Sequence, residues 1–305
     1  MELIAGENDA GRRLDRILRK ALPDHPLSLI HRLLRKKQVF KNGKPAKAQD
    51  RVEYGDKITI PSVKDNNGKK SCTKEIQKKT QLEILWEGLG LIAVNKPAGI
   101  AVHGQDSLEE TVQSFLSDKL PPSISFKPGP LHRLDKPSSG IVVFSVGLEG
   151  ARLFSLLMRE RKIKKTYLAV VEGIINSEEV WQDELIRDHE KKKTFIKGRE
   201  PLMNRGEHSK FAITKVTPLA VEDGNTLIKA EIATGRTHQI RAQAAAHGHP
   251  LLGDIKYNGK KETTKKKTSN FFLHAWKLEF LEYLIEAPID KKHPFIVKFG
   301  YSVIE

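Results

Sequence analysis

The run Ile141-Val-Val-Phe144 constrains the fold more than any other stretch, since four consecutive β-branched or aromatic residues leave no polar side to face water. A short apolar run of this kind, bounded by turn residues, reads as a buried strand. Ser139-Gly140 supplies the turn into it. Asp135 then lies on the connection at the strand's edge, with His132, Arg133 and Lys136 beside it. Neighbouring cations favour the ionised form of a carboxyl group, so Asp135 is a candidate nucleophile or base rather than an acid. An aspartate that only serves a turn and an ion pair would look the same in isolation.

Residues 1–63 read as a first unit. Leu14, Ile17 and Leu18 have helical spacing. A second helix is expected from Ser28 as N-cap, with Leu29, Ile30, Leu33 and Leu34 on one apolar face and Arg32, Arg35, Lys36 and Lys37 off it. Asn42-Gly43 is a hairpin turn signal, and Lys57 to Ile60 a short strand. This unit carries 14 Lys/Arg against 8 Asp/Glu, so its helix edge could track phosphates without reading bases. Residues 64–80 are polar, charged and aperiodic, as a linker would be.

Residues 81–305 read as a larger second unit. Strands are expected at 82–86, 91–94, 141–144, 167–171, 211–216, 227–232 and 271–280. Ser107 and Glu110 fit a capping box opening a helix. Leu148 to Arg159 reads as a helix burying Leu153, Phe154, Leu156 and Leu157, and another runs from about Thr237 to His247, stopped by Gly248 and Pro250. Residues 183–208 are rich in charge and read as hairpins or a loop, and Lys260 to Lys267 as a basic loop. Strands outnumber helices and their connections are irregular. The fold class is therefore α+β, with a mixed, mostly antiparallel sheet.

The net charge of +15, from 53 basic and 38 acidic residues, favours a polyanionic partner through counterion release. Cys72 is the single cysteine, which excludes an intramolecular disulfide and a cysteine-rich zinc site. No apolar stretch approaches the roughly 18 residues of a membrane span. Residues 1–10 lack a signal peptide's apolar segment, so a cytoplasmic protein with no membrane contact is expected. His247-x-His249 matches no common zinc spacing, and no metal is expected. Neither a phosphate-loop motif nor Gly-x-Gly-x-x-Gly occurs.

Around Leu131-His-Arg-Leu-Asp135 stand Asn95-Lys-Pro-Ala-Gly-Ile100 with His103 upstream, and Lys164-Lys-Thr-Tyr-Leu168 downstream. Gly235-Arg-Thr-His-Gln-Ile-Arg241, Gly253-Asp254 and Leu273-His-Ala275 follow. In that order the set resembles the RluA-type pseudouridine synthases, in particular the branch that modifies large-subunit ribosomal RNA and carries an N-terminal S4-like domain. The resemblance spans about residues 10–290. One departure is Glu87-Gly-Leu-Gly90, where the family usually has acidic residues.

The resemblance implies an isomerase that detaches uracil from its ribose, turns it and rejoins it through carbon, a reaction that needs no cofactor. It assigns Asp135 as the catalytic aspartate, leaving open whether the group attacks the base or the sugar or takes a sugar proton. Tyr167 would stack on the uracil or pass a proton. Arg236 or Arg241 would pair with Asp135, and Arg236 is preferred. Arg133, with His132 beside it, would fill the space vacated by a flipped base. Lys96, Arg241 and the first unit's Arg32, Arg35 and Lys36 would contact RNA. The expected partner is ribosomal RNA, with transfer RNA the alternative, and the expected state a monomer. An RNA-binding protein of ribosome assembly with an idle catalytic fold is the competing reading.

Overall fold

The computed structural model describes residues 1–61, 82–198, 209–260, 271–289 and 294–300. The linker expected over 64–80 and most of the basic loop 260–267 lie outside them. In the first unit, β1 (Glu2–Ile4), α1 (Leu14–Ala21), α2 (Leu27–Arg35), β2 (Phe40–Lys41), β3 (Lys44–Pro45) and β4 (Lys57–Thr59) follow in chain order. The strands form a sheet in the order β1-β4-β2-β3. Asn42 and Gly43 both have positive φ (51° and 75°), which a tight hairpin requires and which these two residue types tolerate. Helix α2 begins one residue before the expected Ser28 cap, with Pro26 as N-cap. Proline's missing N–H costs nothing at a helix start.

The larger unit is built on one sheet. Its elements are β5 (Ile84–Gly88), β6 (Leu91–Lys96), α3 (Leu108–Leu116), β7 (Gly129–Pro130), β8 (Ser139–Ser145), α4 (Leu148–Arg159), β9 (Ile163–Glu172), β10 (Glu179–Asp188) and β11 (Lys193–Ile196). There follow β12 (Lys210–Glu222), β13 (Asn225–Ile232), α5 (Gln239–Ala246), β14 (Leu273–Phe280), β15 (Tyr283–Glu286) and α6 (Pro294–Phe299). The sheet order is β11-β10-β12-β13-β9-β14-β8-β6-β5, with β7 beside β8 and β15 beside β14. Among the described residues every pairing in it is antiparallel except β8 with β14, which match only through Ser139–His274 and Gly140–Ala275. This seam joins an antiparallel half on β9 to another on β8. Gly140 sits in it at φ +104°, and an added Cβ would strike the backbone of Ala275.

Strand β8 is buried on both faces, which explains its unbroken apolar run. Val142 and Phe144 join the core cluster that contains Tyr167, α3 and α5 residues, whereas Ile141 and Val143 face Phe154 and Leu157 of α4. Ser107 Oγ accepts from the Glu110 N–H at 3.4 Å, and Glu110 reaches back to the Asp106 N–H at 2.9 Å. On α4 the buried stripe is Phe154 and Leu157. Leu156, expected inside, is 39 % exposed because it lies off that i, i+3 stripe. The charged stretch from 183 opens as a hairpin, with Leu185–Asp188 paired to Lys193–Ile196. No described helix is long and apolar enough to cross a membrane.

The two units meet at Asp9, which is fully buried. Its carboxylate accepts from the N–H groups of Gly6, Ile124 and Ser125 at 3.0, 2.8 and 3.0 Å, and from the Ser123 and Ser125 hydroxyls. Arg12 donates to Ser125 Oγ at 2.7 Å, and Asn8 accepts from the Leu148 N–H at 2.8 Å. Burial opposes the charge of Asp9, but these hydrogen bonds, led by Ser125 and Ile124, outweigh it and hold the carboxyl below its ordinary range. Asp9→Ala orphans several buried donors and should lower unfolding free energy by about 2–4 kcal/mol. A carboxyl whose folded pKa is depressed stabilises above its unfolded value and loses that contribution on acidification. The gap between wild-type and Asp9→Ala thermal midpoints should therefore be full near pH 7 and shrink below about pH 4.

Candidate active site

The loop that carries Asp135 is held from both ends. The Ser138 N–H donates to the Asp135 carbonyl at 3.0 Å, closing a turn, and the Gly99 N–H donates to the Lys136 carbonyl at 2.8 Å. Below it lies Lys96, whose side chain is fully buried. Its ammonium donates to the carbonyls of Pro97, Ile100 and Lys136 at 3.0, 2.8 and 3.2 Å, using all three donors. Burial pushes Lys96 down to about 8 and the charge of Asp135 opposes that, so at pH 7 it remains a cation that shapes the loop. The expectation that Lys96 touches RNA is corrected: it has neither the exposure nor a free donor.

His132 is corrected in the same way. Its Nε2 accepts from the Val143 N–H at 3.1 Å and its ring stacks on Phe154 at 6.0 Å. Burial first, and then the charge of Lys165, push it down to about 3, so it is a neutral acceptor inside the fold. Arg133, the next residue, is exposed and lines the pocket beside Asp135.

The partner of Asp135 is Arg241, not the preferred Arg236. Arg241 Nη1 donates to Asp135 Oδ2 at 2.7 Å, while Nε and Nη2 grip Asp254 at 2.6 and 2.9 Å. The guanidinium lies between the rings of Tyr257 and Phe271, 4.9 and 4.3 Å from their centroids. Position decides between the two arginines. Arg241 is on the inner side of α5 and 6 % exposed, whereas Arg236 lies in the exposed bend before it and its Nε donates to the Phe211 carbonyl at 3.2 Å. Arg236 still lines the pocket wall.

Helix α5 is entered through His238, which adopts φ +53° as N-cap. The Tyr257 hydroxyl accepts from the Thr194 N–H at 2.8 Å, so its own proton points to His238 Nδ1 at 2.9 Å. Arg187 also approaches that nitrogen at 3.4 Å. With Nδ1 an acceptor, Nε2 carries the proton and faces Asp135 Oδ1 at 3.6 Å. Burial pushes His238 down to about 4, and the charge of Asp135 only partly offsets this, so the ring is neutral near pH 7.

Tyr167 faces the same pocket from β9 and is buried. Burial and the charge of Asp135 raise its phenol well above the ordinary value, so it is a proton-bearing hydroxyl. A bulge in β14 between Ala275 and Lys277 falls opposite Tyr167 and Thr166, a local kink of the kind that re-aims side chains beside sites. The pocket is small, about 70 Å³, and combines an apolar wall of Ile232, Ile240 and Leu273 with Asp135 and Arg241. It can hold a planar polar ring against a fixed carboxylate, with a protonated hydroxyl at hand.

Arg32 and Arg35 on α2 and Lys36 at its C-cap are exposed and are not among the residues lining the pocket. His247 pairs with Asp183 at 3.1 Å and His249 with the Glu172 carbonyl at 2.9 Å. No cluster of three potential metal ligands occurs among the described residues. Sequence reasoning missed the clamping of Arg241 by Tyr257 and Phe271, because no spacing in the chain links them to it. Asp254 was visible as half of the Gly253-Asp254 doublet, with no sign of its pairing to Arg241.

Residues 90–246 match the family described as RNA pseudouridylate synthase. The ribosomal large subunit pseudouridine synthase C of Pasteurella multocida is 32 % identical over 301 residues, covering 94 % of this chain and 90 % of that one. The protein of the same description from Escherichia coli K12 is 32 % identical over 305 residues, covering 93 % and 91 %. Among solved structures, Human RNA Pseudouridylate Synthase Domain Containing 4 superposes with a TM-score of 0.57 at 21 % identity, over 70 % of this chain and 90 % of that chain. That likeness bears on the fold.

Removing Asp254 leaves a buried guanidinium with half its partners. Asp254→Ala should destabilise by roughly 3–5 kcal/mol, as breaking one side of a buried ion pair does. Chemical denaturation of the two proteins checks this, and a loss below about 1 kcal/mol would contradict the clamp.

Proposed function

The chain belongs to the RNA pseudouridylate synthase family, isomerases of uridine in RNA, and from that premise we propose that it modifies large-subunit ribosomal RNA with Asp135 as the catalytic carboxylate. The observation that carries the residue assignment is the Arg241–Asp135 contact at 2.7 Å, which fixes a carboxylate in a pocket faced by Tyr167. The substrate assignment draws on relatives that match over more than nine-tenths of this chain and are described as acting on the large ribosomal subunit. A net charge of +15 suits such a polyanion.

The reaction is an isomerisation. The C1′–N1 bond breaks, a C1′–C5 bond forms, and the proton lost from C5 is balanced by one gained at N1. Asp135 starts the exchange as a carboxylate, and Arg241 keeps it oriented through the change in charge. Tyr167 stacks on the ring or moves the C5 proton. His238, neutral, contributes an N–H near the Asp135 carboxylate rather than a second charge.

Uridine must leave its stack to reach this pocket, at a cost of a few kcal/mol. Arg133, exposed at the pocket wall, is suited to occupy the vacated space. Residues 1–63 act as an S4-like RNA-holding domain. Arg32, Arg35 and Lys36, which make no ion pair among the described residues, contact phosphates there. The protein works as a cytoplasmic monomer.

Mapping pseudouridines in total RNA with and without the gene tests the substrate. Loss confined to transfer RNA would replace ribosomal RNA as the target. Asp135→Asn should bind the RNA within about twofold of wild type and form no pseudouridine, and residual product at more than a thousandth of the wild-type rate would move the role elsewhere. Arg133→Ala should slow turnover about tenfold or more on folded RNA, and much less on an unstructured fragment whose base is already free. Equal losses on both substrates would rule out the filling role.

A further inference from the structure

We propose that Ser138 is a substrate-contacting residue whose hydroxyl holds the uracil ring through its rotation in the pocket. The inference rests on the reading above and extends it to a residue whose type alone gives no signal. The Ser138 side chain is 1 % exposed and its Oγ has no hydrogen-bond partner among the described residues, although it lines the pocket with Asp135 and Tyr167. Its neighbour differs: Ser139 Oγ lies 2.8 Å from His274 Nδ1. A buried hydroxyl without a partner costs free energy that alanine would avoid, so its presence calls for a role.

The other polar groups of the pocket are largely committed. Gln239 Oε1 accepts from Thr234 Oγ1 at 2.8 Å and from the Arg236 N–H at 3.1 Å, while its Nε2 donates to the Ile213 carbonyl and Thr214 Oγ1, both at 3.0 Å. Arg241 is divided between Asp254 and Asp135, and His238 Nδ1 is taken by Tyr257. That leaves Ser138 Oγ as an uncommitted group in the wall, placed by a backbone bond from its own N–H to the Asp135 carbonyl. The hydroxyl's residue and the carboxylate's thus line one pocket, joined by a single turn.

The chemistry states what such a group is for. Between bond breaking and bond forming, the uracil must exchange N1 for C5 opposite C1′. Half a turn about the N3–C6 axis does this, and it also exchanges O2 with O4. A hydroxyl donating to one carbonyl before the turn therefore meets an equivalent carbonyl in the same place after it. One fixed donor serves both orientations, and the detached ring keeps a hydrogen bond in each.

The test uses the full chain and large-subunit RNA from cells lacking the gene, in single-turnover assays that score pseudouridine. Ser138→Ala should keep the RNA dissociation constant within about twofold and the thermal midpoint at or slightly above wild type, yet lower the single-turnover rate at least tenfold. Ser138→Thr retains a hydroxyl and should recover at least a third of the wild-type rate. A wild-type rate in Ser138→Ala overturns the proposal. So does a midpoint several degrees lower in Ser138→Ala, which would mark a water-bridged structural hydroxyl, and so does an equal rate loss in a stable Ser138→Thr. If wild type itself makes no pseudouridine on this RNA or on transfer RNA, the functional reading fails and takes this one with it. Activity in wild type with its loss in Asp135→Asn isolates the Ser138 question.

Discussion

Arg241 is the side chain on which the pocket is built. A guanidinium that is 6 % exposed is tolerable only if its donors are met and its faces covered, and both conditions hold. Asp254 takes two donors in a fork, Asp135 takes another, and Tyr257 and Phe271 close the two faces. The planar, forked group gives the loop aspartate a fixed direction. Lysine could supply the charge but neither the fork nor the flat faces.

Four further ionisable groups complete this arrangement, each kept in the state its place requires. Lys96 stays a cation by giving its protons to three carbonyls under the Asp135 loop. His132 and His238 are pushed down by burial, and as neutral rings they act as hydrogen-bonding spacers. Tyr167 is pushed the other way and keeps its proton. The outcome is a site in which Asp135 is the exception: a carboxylate set among neutral rings and committed cations.

The sequence carried much of this, unevenly. Ile141 to Phe144 announced a doubly covered strand because burial on both faces removes any need for polar alternation. Asn42-Gly43 and Ser107-x-x-Glu110 marked a hairpin and a helix start because their backbone demands are local. The choice between Arg236 and Arg241 was not legible, since it depends on where α5 begins and which side of it meets Asp254. Lys96 and His132 were misread for a related reason. Near a catalytic loop, a basic residue name suggests an exposed RNA contact, and only packing reveals that both are spent on main-chain groups. The role of Tyr257 and Phe271 left no mark, because clamping a guanidinium between rings has no spacing rule.

The seam between β8 and β14 has a consequence for how the protein is made. β14 lies between β9 and β8 in the sheet but is the penultimate strand among the described residues. While the chain is being synthesised, β9 and β8 each present an open edge until residues beyond 270 have emerged, and such edges invite pairing with other chains. Phe271 is also late, so one face of the Arg241 guanidinium stays uncovered before then. A nascent chain that already carries Asp135 and Tyr167 thus has no formed pocket, and competence arrives in one step with the insertion of a single strand.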